Sequence, residues 1–244
     1  MGNWKLNGTK ESVSALIKGI EAAADSAKNV EVVVCPPTIF IEQVANLVAN
    51  NSIGFGAQDV STNLSGAFTG ETSPVMVKEF GAKYSLVGHS ERRQYHNETD
   101  AVVAAKFVAI QANALVPVLC IGETLEERET DKTFNVVETQ LKAVIDVAGI
   151  DALENSVIAY EPVWAIGTGK VASSEQAQDV HAHIRTWLAE QSKVVAAKVQ
   201  ILYGGSVKAS SAKELFAQPD IDGGLVGGAA LLVEEFVGII EGAK

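Results

Sequence analysis

Short apolar runs alternate with longer amphipathic stretches from one end of the chain to the other. The runs predict strands over Val30–Cys35, Ile53–Ala57, Tyr84–Val87, Val116–Ile121, Val157–Tyr160, Val199–Leu202 and Gly223–Val226, with a stub at Met1–Trp4. They are rich in Val, Ile and Leu and show no polar alternation, as parallel strands buried on both faces do. The stretches between them read as helices: Glu11–Ala27, Thr38–Ala49, Pro74–Phe80, Ala101–Asn113, Thr133–Ala148, Glu175–Gln191, Ser211–Ala217 and Leu231–Ile240. Pro74 stands at a helix start, where its missing N–H costs nothing. Pro36 and Pro37 end the strand before Thr38.

No linker or low-complexity tract interrupts this alternation. Eight βα units in 244 residues predict one domain over residues 1–244, a single TIM (β/α)8 barrel with a truncated first strand. A doubly wound sheet would carry a glycine-rich phosphate loop after its first strand. Here that loop reads NWKLNG. In a barrel every strand's carboxyl end opens on one face. The residues just past the strands, Asn3, Lys5, Gln58, His89, Glu91, Glu123, Glu161, Gly204–Ser206 and Gly227–Gly228, are therefore expected to meet in one bowl.

Several of them carry chemistry. Glu161 directly follows a buried strand, which sets a carboxylate at the barrel mouth. The next residues, Pro162–Val171, mix Val163, Trp164, Ala165 and Ile166 with Gly167 and Gly169. Thr168 and Lys170 complete the segment. An exposed loop this apolar is costly unless it packs over something, so it reads as a closing lid. The GTGK at Gly167–Lys170 is not a P-loop: Trp164 stands where the first glycine belongs and Val171 where Ser or Thr belongs. His89 sits where Ser90 and Glu91 begin a helix, whose partial positive charge is expected to lower the imidazole pKa and keep it neutral. Lys5 is the candidate cation for an anionic substrate. Arg92 and Arg93 read as partners in structural ion pairs. YGGS at Tyr203–Ser206 and GLVGGA at Gly224–Ala229 are glycine-rich turns after the last two strands, where backbone N–H groups can grip a phosphate.

Composition narrows the partners. The net charge is -11 and no basic stripe occurs, which argues against nucleic acid and against anionic membranes. No run approaches the length of a membrane-spanning helix. Cys35 and Cys120 lie in apolar runs and read as buried thiols rather than a disulfide. The triplets at Asn7, Asn63 and Asn97 carry no weight without a secretory signal, and the start MGNWKLNG has no apolar h-region. Leu6 also breaks a myristoylation pattern. The expected location is the cytoplasm. His181 and His183, two apart on a helix, cannot share a face as metal ligands, and no metal site is expected.

GNWKLNG, VGHSERR, AYEPVWAIGTGK, YGGS and GLVGGA resemble the triosephosphate isomerase family in order and spacing, over essentially the whole chain. The resemblance implies interconversion of dihydroxyacetone phosphate and D-glyceraldehyde 3-phosphate without a metal or organic cofactor. It implies Glu161 as general base, His89 as neutral electrophile and Lys5 as substrate-binding cation. Asn3, Gly167, Ser206, Gly227 and Gly228 would bind substrate, with Ser90, Glu91 and Cys120 in support. It also implies a homodimer in which the loop Gly66–Ser73, led by Phe68, Thr69, Gly70 and Glu71, docks beside the partner's site. Family members usually carry several residues before the GNWK motif. With the first strand reduced to a stub, barrel closure and the seating of Lys5 are expected to be weaker than in a longer version. An aldolase-like barrel would want a Schiff-base lysine late in the strand series, and the marked strands contain none. An inactive barrel would be expected to have lost the base, electrophile or cation, and all three are present.

Overall fold

The computed structural model describes residues 1–166 and 172–243. Eight parallel strands form one sheet in chain order: β1 (Gly2–Asn3), β2 (Val33–Cys35), β3 (Gly54–Ala57), β4 (Tyr84–Val87), β5 (Val116–Ile121), β6 (Val157–Tyr160), β7 (Gln200–Tyr203) and β8 (Gly223–Gly224). The sheet closes on itself. Gly2 bridges Val226 in parallel, Val226 N–H donates to the Met1 carbonyl at 2.8 Å, and Asn3 N–H donates to the Val226 carbonyl at 2.8 Å. The result is a (β/α)8 barrel with helices outside, as the alternation of runs predicts.

Both faces of the strands are buried, which explains their unbroken hydrophobicity. Val33, Cys35, Tyr84, Leu86, Val118, Cys120, Val157, Ala159, Leu202 and Leu225 form one apolar cluster. Their in-sequence neighbours, such as Val34, Val87, Leu119, Ile121, Ile158 and Ile201, belong to a second cluster with the helices. Register locks the first set into layers: Val118 pairs with Val157, Cys120 with Ala159, and Ala159 with Leu202. A slip of one residue would swap the two faces.

The helices start where their side chains can cap them. Thr9 accepts the Ser12 N–H and Ser12 returns the bond, and Ser173 and Gln176 do the same. Each such cap contributes about 1 kcal/mol. Most elements shift by a residue or two from the sequence reading, and the larger differences have local causes. β2 starts at Val33, because Val30 N–H turns back to the Ala27 carbonyl. β7 starts one residue later, because Val199 N–H closes the helix Lys193–Lys198 on the Val195 carbonyl. That helix, capped by Ser192, was not expected. Nor was Leu125–Glu129, although Thr124 and Glu127 form a capping box. β8 ends at Gly224, and Val226 contributes only the closing bridge.

Candidate active site

β1 delivers Asn3 and Lys5. Asn3 is buried, and its Oδ1 accepts the Lys5 N–H at 3.0 Å. Lys5 holds φ at 51°, a left-handed conformation unusual for a residue with a side chain. Gln58, just past β3, secures it: its Nε2 donates to the Lys5 carbonyl at 2.8 Å and to the Cys35 carbonyl at 2.9 Å. The ammonium reaches Glu91 Oε1 at 2.5 Å.

β4 delivers His89. Gly88 turns at φ 72°, and His89 caps the helix Ser90–His96, its Nδ1 accepting the Glu91 N–H at 3.1 Å. The neutral ring therefore carries its proton on Nε2, which lies 2.9 Å from Glu161 Oε1. Ser90 N–H donates to Glu161 Oε2 at 3.0 Å. Here one expectation is corrected. Burial of the ring does lower its pKa, but the adjacent Glu161 carboxylate and its hydrogen bond more than offset this, with help from Glu91, so the net direction is upward. A helix terminus acts weakly over one turn; a carboxylate in contact acts strongly. The neutral form still has a geometric basis, since a proton on Nδ1 would face the Glu91 N–H head-on. Arg92 pairs with Glu98 at 2.6 Å and Arg93 with Asp100 at 2.5 Å, so both serve ion pairs as expected. Lys106, itself buried, joins Glu98 and Asp59 at 2.7 Å each and anchors the same helix.

β6 delivers Glu161, whose N–H donates to the Ile121 carbonyl at 2.7 Å. It is only 2% exposed. The backbone crowds it on two sides. A Cβ on Gly122 would stand 1.8 Å from the Glu161 carbonyl oxygen, and one on Gly204 would stand 2.8 Å from its Cγ. Beyond it, Pro162 leads into one helical turn at Val163–Ala165. Trp164 Nε1 donates to Glu123 at 2.8 Å, and Tyr160 Oη donates to the same carboxylate at 3.1 Å. Glu123 is fully buried, which raises its pKa against the pull of these donors and of Arg128. Gly167, Thr168, Gly169, Lys170 and Val171 lie outside the described residues.

The glycine turns after β7 and β8 form the opposite wall. Gly204, Gly205, Ser206, Gly227 and Gly228 line one cavity together with Asn3, Lys5, His89, Glu161 and Ile166. Its volume is about 320 Å³, at the small end of ligand pockets. Ser206 Oγ donates to the Ala165 carbonyl at 3.0 Å, tying the lid base to this wall. Ser90 and Glu91 bear on the cavity through Glu161 and Lys5. Cys120 is buried in the barrel, its pKa pushed up by burial and then by Glu161. Phe68, Thr69, Gly70 and Glu71 are exposed and away from the cavity. His181 and His183 part company: His181 Nδ1 donates to the Asp220 carbonyl at 3.1 Å, while His183 meets Glu138 and stacks on Phe134. Among the described residues, no group of three or more His, Cys, Asp or Glu is placed to hold a metal ion.

The family model described as triosephosphate isomerase matches residues 1–243. The chain belongs to the triosephosphate isomerase family. It is 97% identical to the triosephosphate isomerase of Psychromonas ingrahamii over 244 residues, 100% of this chain and 98% of that protein. Identity is 63% to the triosephosphate isomerase of Vibrio sp. strain ANT-300 over 244 residues, 100% of this chain and 97% of that protein. It is 52% to that of Moritella marina over 245 residues, 100% of this chain and 96% of that protein.

Two residues of this triosephosphate isomerase family member escaped the sequence reading. Gly122 follows β5 directly and was not among the residues singled out. Gln140 lies in the middle of a helix with nothing in its surroundings to mark it; its Oε1 accepts the Gly122 N–H at 2.8 Å. The hint was available in CIGE, where glycine directly follows a buried strand, a position that suits close backbone approach.

Proposed function

We propose that the chain interconverts dihydroxyacetone phosphate and D-glyceraldehyde 3-phosphate by proton transfer through an enediolate. The observation that carries this reading is the convergence of Glu161, His89, Lys5 and two glycine turns on one small cavity. Glu161 removes a proton from the carbon beside the carbonyl and returns it to the neighbouring carbon. To do so its carboxylate leaves Ser90 N–H and His89 Nε2 and turns toward the substrate. His89 Nε2–H then donates to the carbonyl oxygen, and the Lys5 ammonium, with Asn3 beside it, stabilises the negative charge that develops. The phosphate lies on the N–H groups of Gly167, Ser206, Gly227 and Gly228. The lid Pro162–Val171 closes over the bound substrate and excludes water. In this reading Lys5 and His89 supply the stabilisation of the enediolate, so the proton transfers are drawn without a metal or organic cofactor.

The active unit is a homodimer in this reading, with the loop Gly66–Ser73 docked on the partner. Phe68 is 45% exposed, and Leu64, Val75 and Met76 nearby in sequence are exposed as well. Such apolar exposure fits a covered surface. No described helix is long and apolar enough to cross a membrane. The acidic charge and the two free, buried cysteines support the same reading's cytoplasmic location, with neither nucleic acid nor membrane as partner.

A coupled isomerisation assay on wild type and Glu161→Asp tests the assignment. The substitution withdraws the carboxylate by one C–C bond, and a misplacement of about 1 Å costs about 100-fold. Turnover near the wild-type rate in the variant would remove Glu161 from its role.

A further inference from the structure

The Glu161 backbone is backed by a peptide that is itself gripped from outside the barrel. Gln140 lies within the helix Thr133–Ala148 and is half-buried. Its Oε1 accepts the Gly122 N–H at 2.8 Å, and its Nε2 donates to the Gly122 carbonyl at 3.3 Å. One side-chain amide thus closes on both polar groups of a single residue, as a neighbouring strand would. β5 has ended at Ile121, so no strand pairing does this for Gly122. Gly122 in turn lies so close to Glu161 that an added Cβ would stand 2.6 Å from the Glu161 carbonyl carbon. The contact is backbone to backbone. Any shift of the Gly122 peptide is passed to Glu161, because neither side has a flexible side chain to absorb it.

We propose that Gln140 is a positioning residue for the general base, holding the Gly122 peptide at the depth that fixes where the Glu161 carboxylate stands. This rests on Glu161 acting as the base. Gln140 does not line the cavity with the glycine turns, and among the described residues its side-chain hydrogen bonds go to Gly122. Its loss therefore acts on the proton transfer and spares the anion grip. An apolar side chain at this position leaves the Gly122 N–H and carbonyl without their partners. The peptide then moves toward water, and the carboxylate moves with it.

The test is steady-state isomerisation by wild type, Gln140→Met and Gln140→Glu. Inorganic phosphate serves as competitive inhibitor to read the grip, and thermal unfolding serves as a folding control. Gln140→Met keeps the side-chain length and loses both bonds. Its kcat is expected to fall about 10- to 100-fold, with the phosphate inhibition constant within about twofold of wild type. Gln140→Glu keeps the acceptor for the Gly122 N–H and is expected to recover most of the loss. A folded Gln140→Met with wild-type kcat overturns the proposal. So does a parallel loss of kcat and phosphate affinity, which would make Gln140 merely structural. If Gln140→Met does not fold, Gln140→Asn, which withdraws the amide by one C–C bond, carries the same expectation, and unchanged kcat in it overturns the proposal. A wild type with no isomerase activity sinks the reading of Glu161 itself; an active wild type beside an undiminished Gln140→Met sinks only the brace.

Discussion

The two walls of the cavity are built on opposite plans. On one side stand ionisable side chains: Glu161 and His89, held by the successive N–H groups of Ser90 and Glu91, and Lys5, whose carbonyl Gln58 secures. On the other stand the glycine turns Gly204–Gly205 and Gly227–Gly228, which offer backbone. The first wall depends on what side chains add, and the second on what they leave out. Errors on the two walls should therefore surface in different kinetic constants. Displaced side chains act on kcat, because they misplace the reacting groups. A filled turn acts on KM, because it closes off the anion.

The sharpest way to break this division is Gly122→Ala, on the side-chain wall though it alters only backbone space. Its Cβ would stand 1.8 Å from the Glu161 carbonyl oxygen, a contact that no rotamer change can relieve. We expect kcat to fall by about 100-fold or more, with phosphate inhibition preserved. An equal loss in both would show that the walls are not independent. Next comes Gly205→Ala, whose Cβ would meet Tyr203 Oη at 2.2 Å. The Tyr203 side chain is fully buried, so the ring has no easy exit. KM should rise about tenfold, the equivalent of roughly one good hydrogen bond to a charged group, while kcat changes less. Gly228→Ala is the matching control, since its Cβ meets nothing within 4 Å among the described residues. Its thermal midpoint should stay at the wild-type value.

The smallest effect on turnover is expected from His181, which lies beneath both walls. Its ring meets Tyr160 of β6 edge-on at 5.7 Å and Tyr203 of β7 at 6.3 Å. Burial pulls its pKa down to about 4, against the Asp220 carbonyl that favours the charged form. A base whose folded pKa is lowered stays neutral in the native state, so its contribution is undiminished above about 6.5. It is lost as pH falls through 6.5 toward 4. Over that window the single group removes about 3 kcal/mol of stability. Urea midpoints of wild type and His181→Gln, compared at pH 7.5 and pH 4.5, should converge or cross as the pH falls. A constant gap between them would refute the assignment.

Much of the barrel was legible in the chain because its strands are buried twice over. A run such as VPVLCI has no polar residue to spare for either face, and its residues divide between two apolar clusters as read. The cavity residues were legible for a related reason. Asn3, Lys5, His89, Glu161 and Ser206 each lie at or just past the end of an apolar run, so parallel strands bring them to one face. The brace on Gly122 was not legible, because Gln140 sits eighteen positions away on a helix surface and acts only once the helix is docked. The direction of the His89 pKa was missed for the same physical reason. It hangs on a contact of 2.9 Å with a residue in another βα unit, which local pattern does not contain. Helix Leu125–Glu129 is the opposite case. Its Thr124–Glu127 capping box stands in the sequence and was overlooked.

The closing bonds between Asn3 and Val226 carry a consequence for how the molecule comes into being. Lys5 is synthesised among the first residues, yet the strand that bears it gains one of its two neighbours only when the eighth unit exists. Pairings so distant along the chain form slowly and late. The first strand's pairing with the eighth, and with it the barrel's closure around Lys5, therefore has to wait for the last βα unit.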